Sequence, residues 1–449
     1  MTTLWAAAEL AEALGVERGW DISGISIDTR TLAPGDLFVA LQGERDGHDF
    51  VAAAFAKGAA AALVSKSMPG NVVLVPDTLQ ALERLGAASR ARSAARIVAV
   101  TGSVGKTTAK EMLRRMLVGF GTVHAAEASF NNHIGVPLTL ARMPKESDFG
   151  IFEIGMNHPG EIAPLAALVR PDVAMITCVD RAHLGLMGSE EAIAREKASI
   201  FSALVAGGTA VIPGNTNFLA LLRSAVPVGC RVMLFDRQPP AEAYVLQRQM
   251  WAEGSEITAS IAGTEVSILL ATPGEHMAMN ALAVLSTASA MGLDVKRAAA
   301  ALDGFTPYKG RGERRELTLP SGAKFLLLDE SYNASSASMR AALAVLKLQR
   351  GRRLAVLGDM LELGEHAVEE HLRLYPSVQD GADIVFTCGP NSKILFDSLP
   401  QSMQGAHAET AAALASLVKA ALRDGDVVLV KGSYGSRMRD VISALESPG

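Results

Sequence analysis

Hydrophobic and polar positions change their period along this chain in an ordered way. The opening run WAAAELAEALG spaces its apolar residues for one face of a helix, and Glu9 and Glu12 inside it predict an amphipathic helix rather than a signal peptide. Two short strand-like runs follow, ISGISID and DLFVAL, split by the turn signal Ala33-Pro34-Gly35-Asp36 and succeeded by an alanine-rich helical stretch. The basic stretch SRARSAAR then leads into Ile97-Val98-Ala99-Val100, a buried-strand pattern that runs straight into a glycine-rich turn. Beyond it FGIFEIG, VAMITCV and TAVIP alternate with helical patterns, the order that builds βαβ units and a mostly parallel sheet. A more polar segment from Glu242 to Ser267 predicts antiparallel strands attached to that sheet. A second alternation begins after Arg311, with FLLLD, RRLAVLG, DIVFTCG and VVLVKG as its strands.

These patterns predict an α/β protein of three domains: a small α/β module over 1–94, a central doubly wound, mostly parallel sheet over 95–311, and a Rossmann-like α/β domain over 312–449. The length of 449 residues agrees, at roughly 150 residues per domain. With 49% hydrophobic and 20% charged residues the composition is that of a globular chain and excludes disorder. The net charge of −5 supplies no basic field for nucleic acid, so anions must be gathered by local sites. Cys178, Cys230 and Cys388 form no CxxC pair, which argues against a disulfide framework or a zinc site and fits a reducing cytoplasm. No run reaches the roughly 18 apolar residues of a membrane span.

The strongest chemical signal is Thr101-Gly102-Ser103-Val104-Gly105-Lys106-Thr107-Thr108, between a strand and the helical AKEMLRRML. Successive backbone N–H groups in such a loop cradle phosphates at a helix N-terminus, the lysine adds a charge, and Thr107 is placed to bind Mg²⁺. The strict P-loop pattern asks for glycine where this chain has Val100. Glu153 and His183 lie just past later strand ends, where a doubly wound sheet presents residues to the same crevice. With the phosphate loop they suggest a magnesium site, although each taken singly also fits an ordinary strand-end residue. Lys197 is the oddity. Ile193, Ile200, Phe201 and Leu204 form a helical stripe, and Lys197 occupies that same inward face. Two readings fit it: a lysine that snorkels or pairs with a buried acid, or an amine that desolvation keeps neutral and CO₂ converts to a carbamate near the magnesium.

The ordered set of motifs resembles the Mur ligase family over essentially the whole chain. It comprises IDTR, APGDLFVALQGERDGHDF, TGSVGKTT, FNNHIGVPLTL, EIGMNHPGEI, HLGLMGSEEAIAREK, GEHMAMNALA, LLDESYNAS, LGDMLELGEHA and VLVKGSYGSRM. The resemblance implies an ATP- and Mg²⁺-dependent ligase that joins D-alanyl-D-alanine to UDP-MurNAc-tripeptide through an acyl phosphate, and that acts as a cytoplasmic monomer. By the same resemblance Lys106 holds the β- and γ-phosphates. Thr107 and Glu153 ligate one Mg²⁺, and His183 with a carbamylated Lys197 serves a second. Asn280 lies against the adenine, a first-turn helix cap being the alternative for that residue. Arg311 and Glu330 approach the nucleotide, and Thr29, Arg30, Gly47 and His48 take the UDP-sugar. Asn131 and Asn132 face the tripeptide and sugar, and Tyr332 and Asn333 belong to the substrate side. Relatives often read DDSYNAN where this chain has Asp329-Glu330-Ser331-Tyr332-Asn333-Ala334-Ser335. His133, Asp359, Lys431 and Ser433 receive no role. A sister ligase that adds the third amino acid would carry a DNPR-type motif, which is absent. A folylpolyglutamate synthase or a P-loop switch that only binds partners would leave the N-terminal module unexplained.

Overall fold

The computed structural model describes residues 2–127, 129–308 and 310–447. Three sheets follow one another along the chain. The first has four parallel strands, Gly24–Ser26, Asp36–Val39, Ala61–Val64 and Val72–Leu74, in chain order. The helix Thr78–Arg92, capped by the Asp77 carboxylate at Leu79 N and Gln80 N, leads out of it and packs against the helix Gly135–Ala141.

The second sheet has nine strands and carries the phosphate loop. Its strand Arg96–Thr101 lies between Phe149–Glu153 on one side and Val173–Ile176 on the other, all parallel. The chain therefore moves outward from this strand in both directions, and a crevice opens at its carboxyl end, where such sheets collect ligands. Thr209–Pro213 and Arg231–Asp236 extend the parallel order, and the last two pairings, Ala243–Trp251 with Gly254–Ile261 and Gly254–Ile261 with Thr264–Leu270, are antiparallel. Helices Lys106–Leu117 and Glu275–Ala290 cover one face through Met112, Leu113, Met116, Ala281, Leu282 and Leu285.

The third sheet orders Glu313–Thr318, Lys324–Glu330, Asp426–Lys431, Arg353–Gly358, Ile384–Cys388 and Gln404–Ala408, parallel apart from its first pair. The two outer strands, Glu313–Thr318 and Gln404–Ala408, have no counterpart among the runs read from sequence; their faces are only partly buried, so their apolar signal is weak. No helix among the described residues is long and apolar enough to cross a membrane.

Candidate active site

The phosphate loop spans the junction between the strand Arg96–Thr101 and the helix Lys106–Leu117. Gly105 stands at the helix N-cap with φ +87°, and no side chain caps the first turn, so its N–H groups are left for a ligand. A Cβ on Gly105 would lie 2.6 Å from Oδ1 of Asn280, so only glycine permits this approach of the two helices. Asn280 sits in the second turn of Glu275–Ala290, buried, which removes the first-turn cap as its role. The loop is pinned to the next strand end: Ser103 N–H donates to the Cys178 carbonyl at 3.0 Å, Ser103 Oγ to the Asp180 carbonyl at 2.8 Å, and Thr177 Oγ1 to the Val104 carbonyl at 2.5 Å.

Lys106 curls back so that Nζ donates to the Gly102 carbonyl at 2.6 Å. Burial pushes its pKa down, with Glu153 opposing and Arg311 adding to the fall. Thr107 Oγ1 donates to Glu153 Oε2 at 2.8 Å, while Ser129 Oγ at 3.0 Å and Asn131 Nδ2 at 2.7 Å donate to Oε1. Glu153 is 2% exposed, and its carboxylate acts on Lys106 through space, opposing the fall of that amine's pKa. A buried carboxyl held by three hydrogen bonds beside a hydroxyl and a phosphate loop suits a hard cation. Ser129 was not singled out from sequence; its place one residue before the FNNH run was the available signal. Asn132 does something different from Asn131: its Oδ1 accepts from Ile134 N and Gly135 N and caps the helix Gly135–Ala141. His133 is exposed.

Lys197 points inward. It is 1% exposed on the helix Glu190–Ala198, and the one hydrogen bond its Nζ makes among the described residues is to the Met156 sulfur, at 4.0 Å. The adjacent Glu196 gives it no partner, since that carboxylate accepts from Gly160 N and Ile162 N at 2.8 Å each. Burial, then the Lys106 charge, pushes the Lys197 amine down to about 7. Lys197 thus neither snorkels to solvent nor makes an ion pair with an acid among the described residues, although the Glu196 charge acts on it from nearby.

His183 adopts a left-handed conformation, φ +64°, at the N-cap of the short helix Leu184–Met187. Its Nδ1 meets Oε2 of Glu362 at 2.5 Å, and this bond holds the Glu362 carboxyl below the usual carboxylate range. Nearby, the Arg181 guanidinium spans Glu190 at 2.5 Å and Glu370 at 2.8 Å. These contacts join the central sheet's loops to the segment 362–370, which follows the strand Arg353–Gly358. Neither Glu362 nor Arg181 was singled out from sequence; long-range pairing of this kind leaves no local pattern.

Arg311 stacks its guanidinium over the Tyr332 ring at 4.1 Å and lines a cavity with His276, Gly312 and Glu330. Glu330 Oε2 accepts from Lys431 Nζ at 3.3 Å, and the same ammonium donates to the Asn333 carbonyl at 2.9 Å. Tyr332 also faces the exposed Tyr434, with ring centroids 6.3 Å apart. Asp359 and Ser433 have structural work: Asp359 accepts from Ser392 N at 2.7 Å at the start of the helix Pro390–Ser398, and Ser433 Oγ accepts from Leu361 N at 2.9 Å.

The N-terminal candidates sit at the carboxyl ends of two adjacent parallel strands. Thr29 offers its carbonyl to Lys57 Nζ at 2.7 Å. Arg30 is exposed and bound to Asp28 through two nitrogens. Gly47 opens the turn Gly47–Phe50. The buried His48 ring accepts from Ser65 N at 2.9 Å through Nε2 and meets Asp46 Oδ1 at 2.5 Å through Nδ1, so it holds its own loop rather than facing outward.

A phosphate loop at the switch point of a doubly wound sheet is followed by a second α/β domain whose Glu362 bonds to His183 among the central loops, the layout of a nucleotide-binding enzyme built of two joined α/β domains. Three family models match in succession: the Mur ligase family catalytic domain over 21–128, the Mur ligase middle domain over 100–288, and the Mur ligase glutamate ligase domain over 310–434. The chain belongs to the Mur ligase family. Among its relatives, the UDP-N-acetylmuramoyl-tripeptide--D-alanyl-D-alanine ligase of Escherichia coli (strain K12) is 35% identical, with 98% of each chain covered. Among solved structures, MurF from Acinetobacter baumannii superposes with a TM-score of 0.87 at 29% identity, covering 98% of both chains. MurF ligase from Thermotoga maritima in complex with ADP gives 0.80 at 25% identity, over 94% of this chain and 97% of that one.

Proposed function

We propose that this chain joins D-alanyl-D-alanine to the terminal carboxylate of UDP-MurNAc-tripeptide, cleaving ATP to ADP and phosphate, in the synthesis of peptidoglycan precursors. The observation that carries the reading is the meeting of Lys106, Thr107 and Glu153 at an open helix N-terminus, with Arg311 close enough to lower the Lys106 pKa. Full-length similarity to a ligase of that name supports the substrates. In this reading residues 1–94 take the UDP-sugar, 95–311 the nucleotide, and 312–449 the dipeptide, with the protein working as a cytoplasmic monomer.

A carboxylate is a poor electrophile. Its oxygen therefore attacks the γ-phosphorus first, the bond to ADP breaks, and an acyl phosphate results. The dipeptide amine then attacks the acyl carbon and loses a proton, and inorganic phosphate leaves. Lys106 and the loop N–H groups hold the phosphates through this transfer, where positioning and charge stabilisation do most of the catalysis. Thr107 and Glu153 would hold Mg²⁺, which supplies charge neutralisation at the phosphoryl oxygens. His183 would serve a second site with Lys197. The Lys197 amine, whose pKa burial lowers to about 7, is in good part neutral near neutral pH; in that form it would add to CO₂ with release of one proton, and the carbamate formed would offer oxygens in place of a buried cation.

The deciding experiment incubates the protein with ATP, Mg²⁺ and UDP-MurNAc-tripeptide plus a panel of amino acids and dipeptides, and weighs the UDP product. A mass gain of one dipeptide with D-alanyl-D-alanine alone is the expected result. A preference for a diamino acid on UDP-MurNAc-dipeptide would replace this reading with that of the sister ligase.

A further inference from the structure

The segment 359–364 is fixed from within its own domain. Met360 N–H donates to Nε2 of His371 at 3.0 Å, Leu361 N–H donates to Ser433 Oγ at 2.9 Å, and His371 is locked in turn by its Nδ1 contact to the Ala367 carbonyl at 2.7 Å. Held this way, Glu362 reaches the central domain through two bonds: its side chain meets His183 Nδ1, and its carbonyl accepts from Gly185 N–H at 3.0 Å. Both partners are non-glycine residues in the left-handed region, with φ +64° for His183 and +63° for Glu362. Such backbones are unfavourable and persist where the surroundings impose them. A surface ion pair between mobile side chains would need neither.

A carboxylate accepts only, so Nδ1 of His183 carries a proton, and in the neutral imidazole this leaves the lone pair on Nε2. Among the described residues no hydrogen bond engages that Nε2. This is the arrangement by which a carboxylate orients an imidazole whose other nitrogen is to be used.

We propose that Glu362 is a positioning residue: from the C-terminal domain it fixes the tautomer and direction of His183, so that the central site is complete only when the two domains are clipped together at 183–185 and 362–364. The proposal rests on His183 belonging to the site.

The test uses the full-length protein with histidine labelled by ¹⁵N. In nucleotide-free and metal-free protein at about pH 9, where imidazoles are neutral, the His183 signals, assigned by their loss in His183→Gln, report the Nδ1–H tautomer. Glu362→Ala is expected to shift them toward Nε2–H and to lower kcat by about 10- to 100-fold, with KM for ATP changed less than about threefold. Glu362→Gln, whose amide oxygen still accepts from Nδ1, is expected to recover most of both effects. An unchanged tautomer in Glu362→Ala, or equal losses in the alanine and glutamine variants, would overturn the proposal. Full activity in His183→Gln would instead remove the reading on which it rests.

Discussion

The Thr107 hydroxyl donates to Glu153 across 2.8 Å, tying the first turn of the loop helix to the end of the neighbouring strand. Glutamine at 153 keeps an oxygen for that hydroxyl and removes the charge. Glu153→Gln is therefore expected to fold normally, to lose at least about 100-fold in kcat, and to need more Mg²⁺ for half-maximal rate. Retention of more than a tenth of wild-type activity at saturating ATP would exclude the carboxylate from the metal site.

Lys106→Ala deletes the ammonium that accompanies the transferred phosphoryl group. The expected loss in kcat/KM is around 10³-fold, with an unchanged circular dichroism spectrum. A loss below tenfold would show that another cation does this work.

Lys197 yields two expectations. Lys197→Ala should be inactive, and a short carboxylic acid at high concentration should restore part of the rate by filling the vacated space; full activity without it would end the carbamate reading. Stability moves the other way. An unfolded lysine titrates near 10.4, whereas the buried amine does so at about 7. Between those values the unfolded chain holds a proton that the folded chain has released. The cost to the fold is thus complete below about pH 7 and fades as the pH rises toward 10.4, at about 1.4 kcal/mol per unit. In CO₂-free buffer Lys197→Met should melt several degrees above wild type at neutral pH, and the gain should shrink by pH 9. An equal gain at both pH values would mean that the amine is not depressed.

Acceptor choice tests the C-terminal domain. The second residue and carboxylate of the dipeptide supply binding energy that free D-alanine lacks and that orients the attacking amine. We expect kcat/KM for D-alanyl-D-alanine to exceed that for D-alanine by at least about 100-fold. Comparable turnover of the two in a competition assay would count against the assignment.

What sequence conveyed best was local. The phosphate loop was legible because strand, turn and helix are contiguous from Arg96 to Leu117. The inward face of Lys197 was legible because Ile193, Ile200 and Phe201 mark a stripe, and all three are fully buried. The polar run from Glu242 to Ser267 became the antiparallel strands of the second sheet. Less was legible wherever a role depends on residues far apart in the chain. Asn131 and Asn132 are neighbours of one type, yet one serves Glu153 and the other caps a helix. His48 carries a strong motif, but Asp46 and Ser65 occupy its ring. Ser129 and Glu362 acquire meaning only from partners 24 and 179 residues away.

Where the two domains are clipped, backbone touches backbone. A Cβ on Gly185 would lie 2.4 Å from the Gly364 nitrogen and 2.7 Å from the Leu363 carbonyl carbon. The joint is thus shaped by a missing methyl group, and adding one would wedge the jaw ajar while leaving the phosphate loop's own hydrogen bonds in place. Gly185→Ala would then make a molecule that grips nucleotide but does not shut on its acceptor, so that the affinity for ATP and the rate of peptide transfer become separable quantities in a single chain.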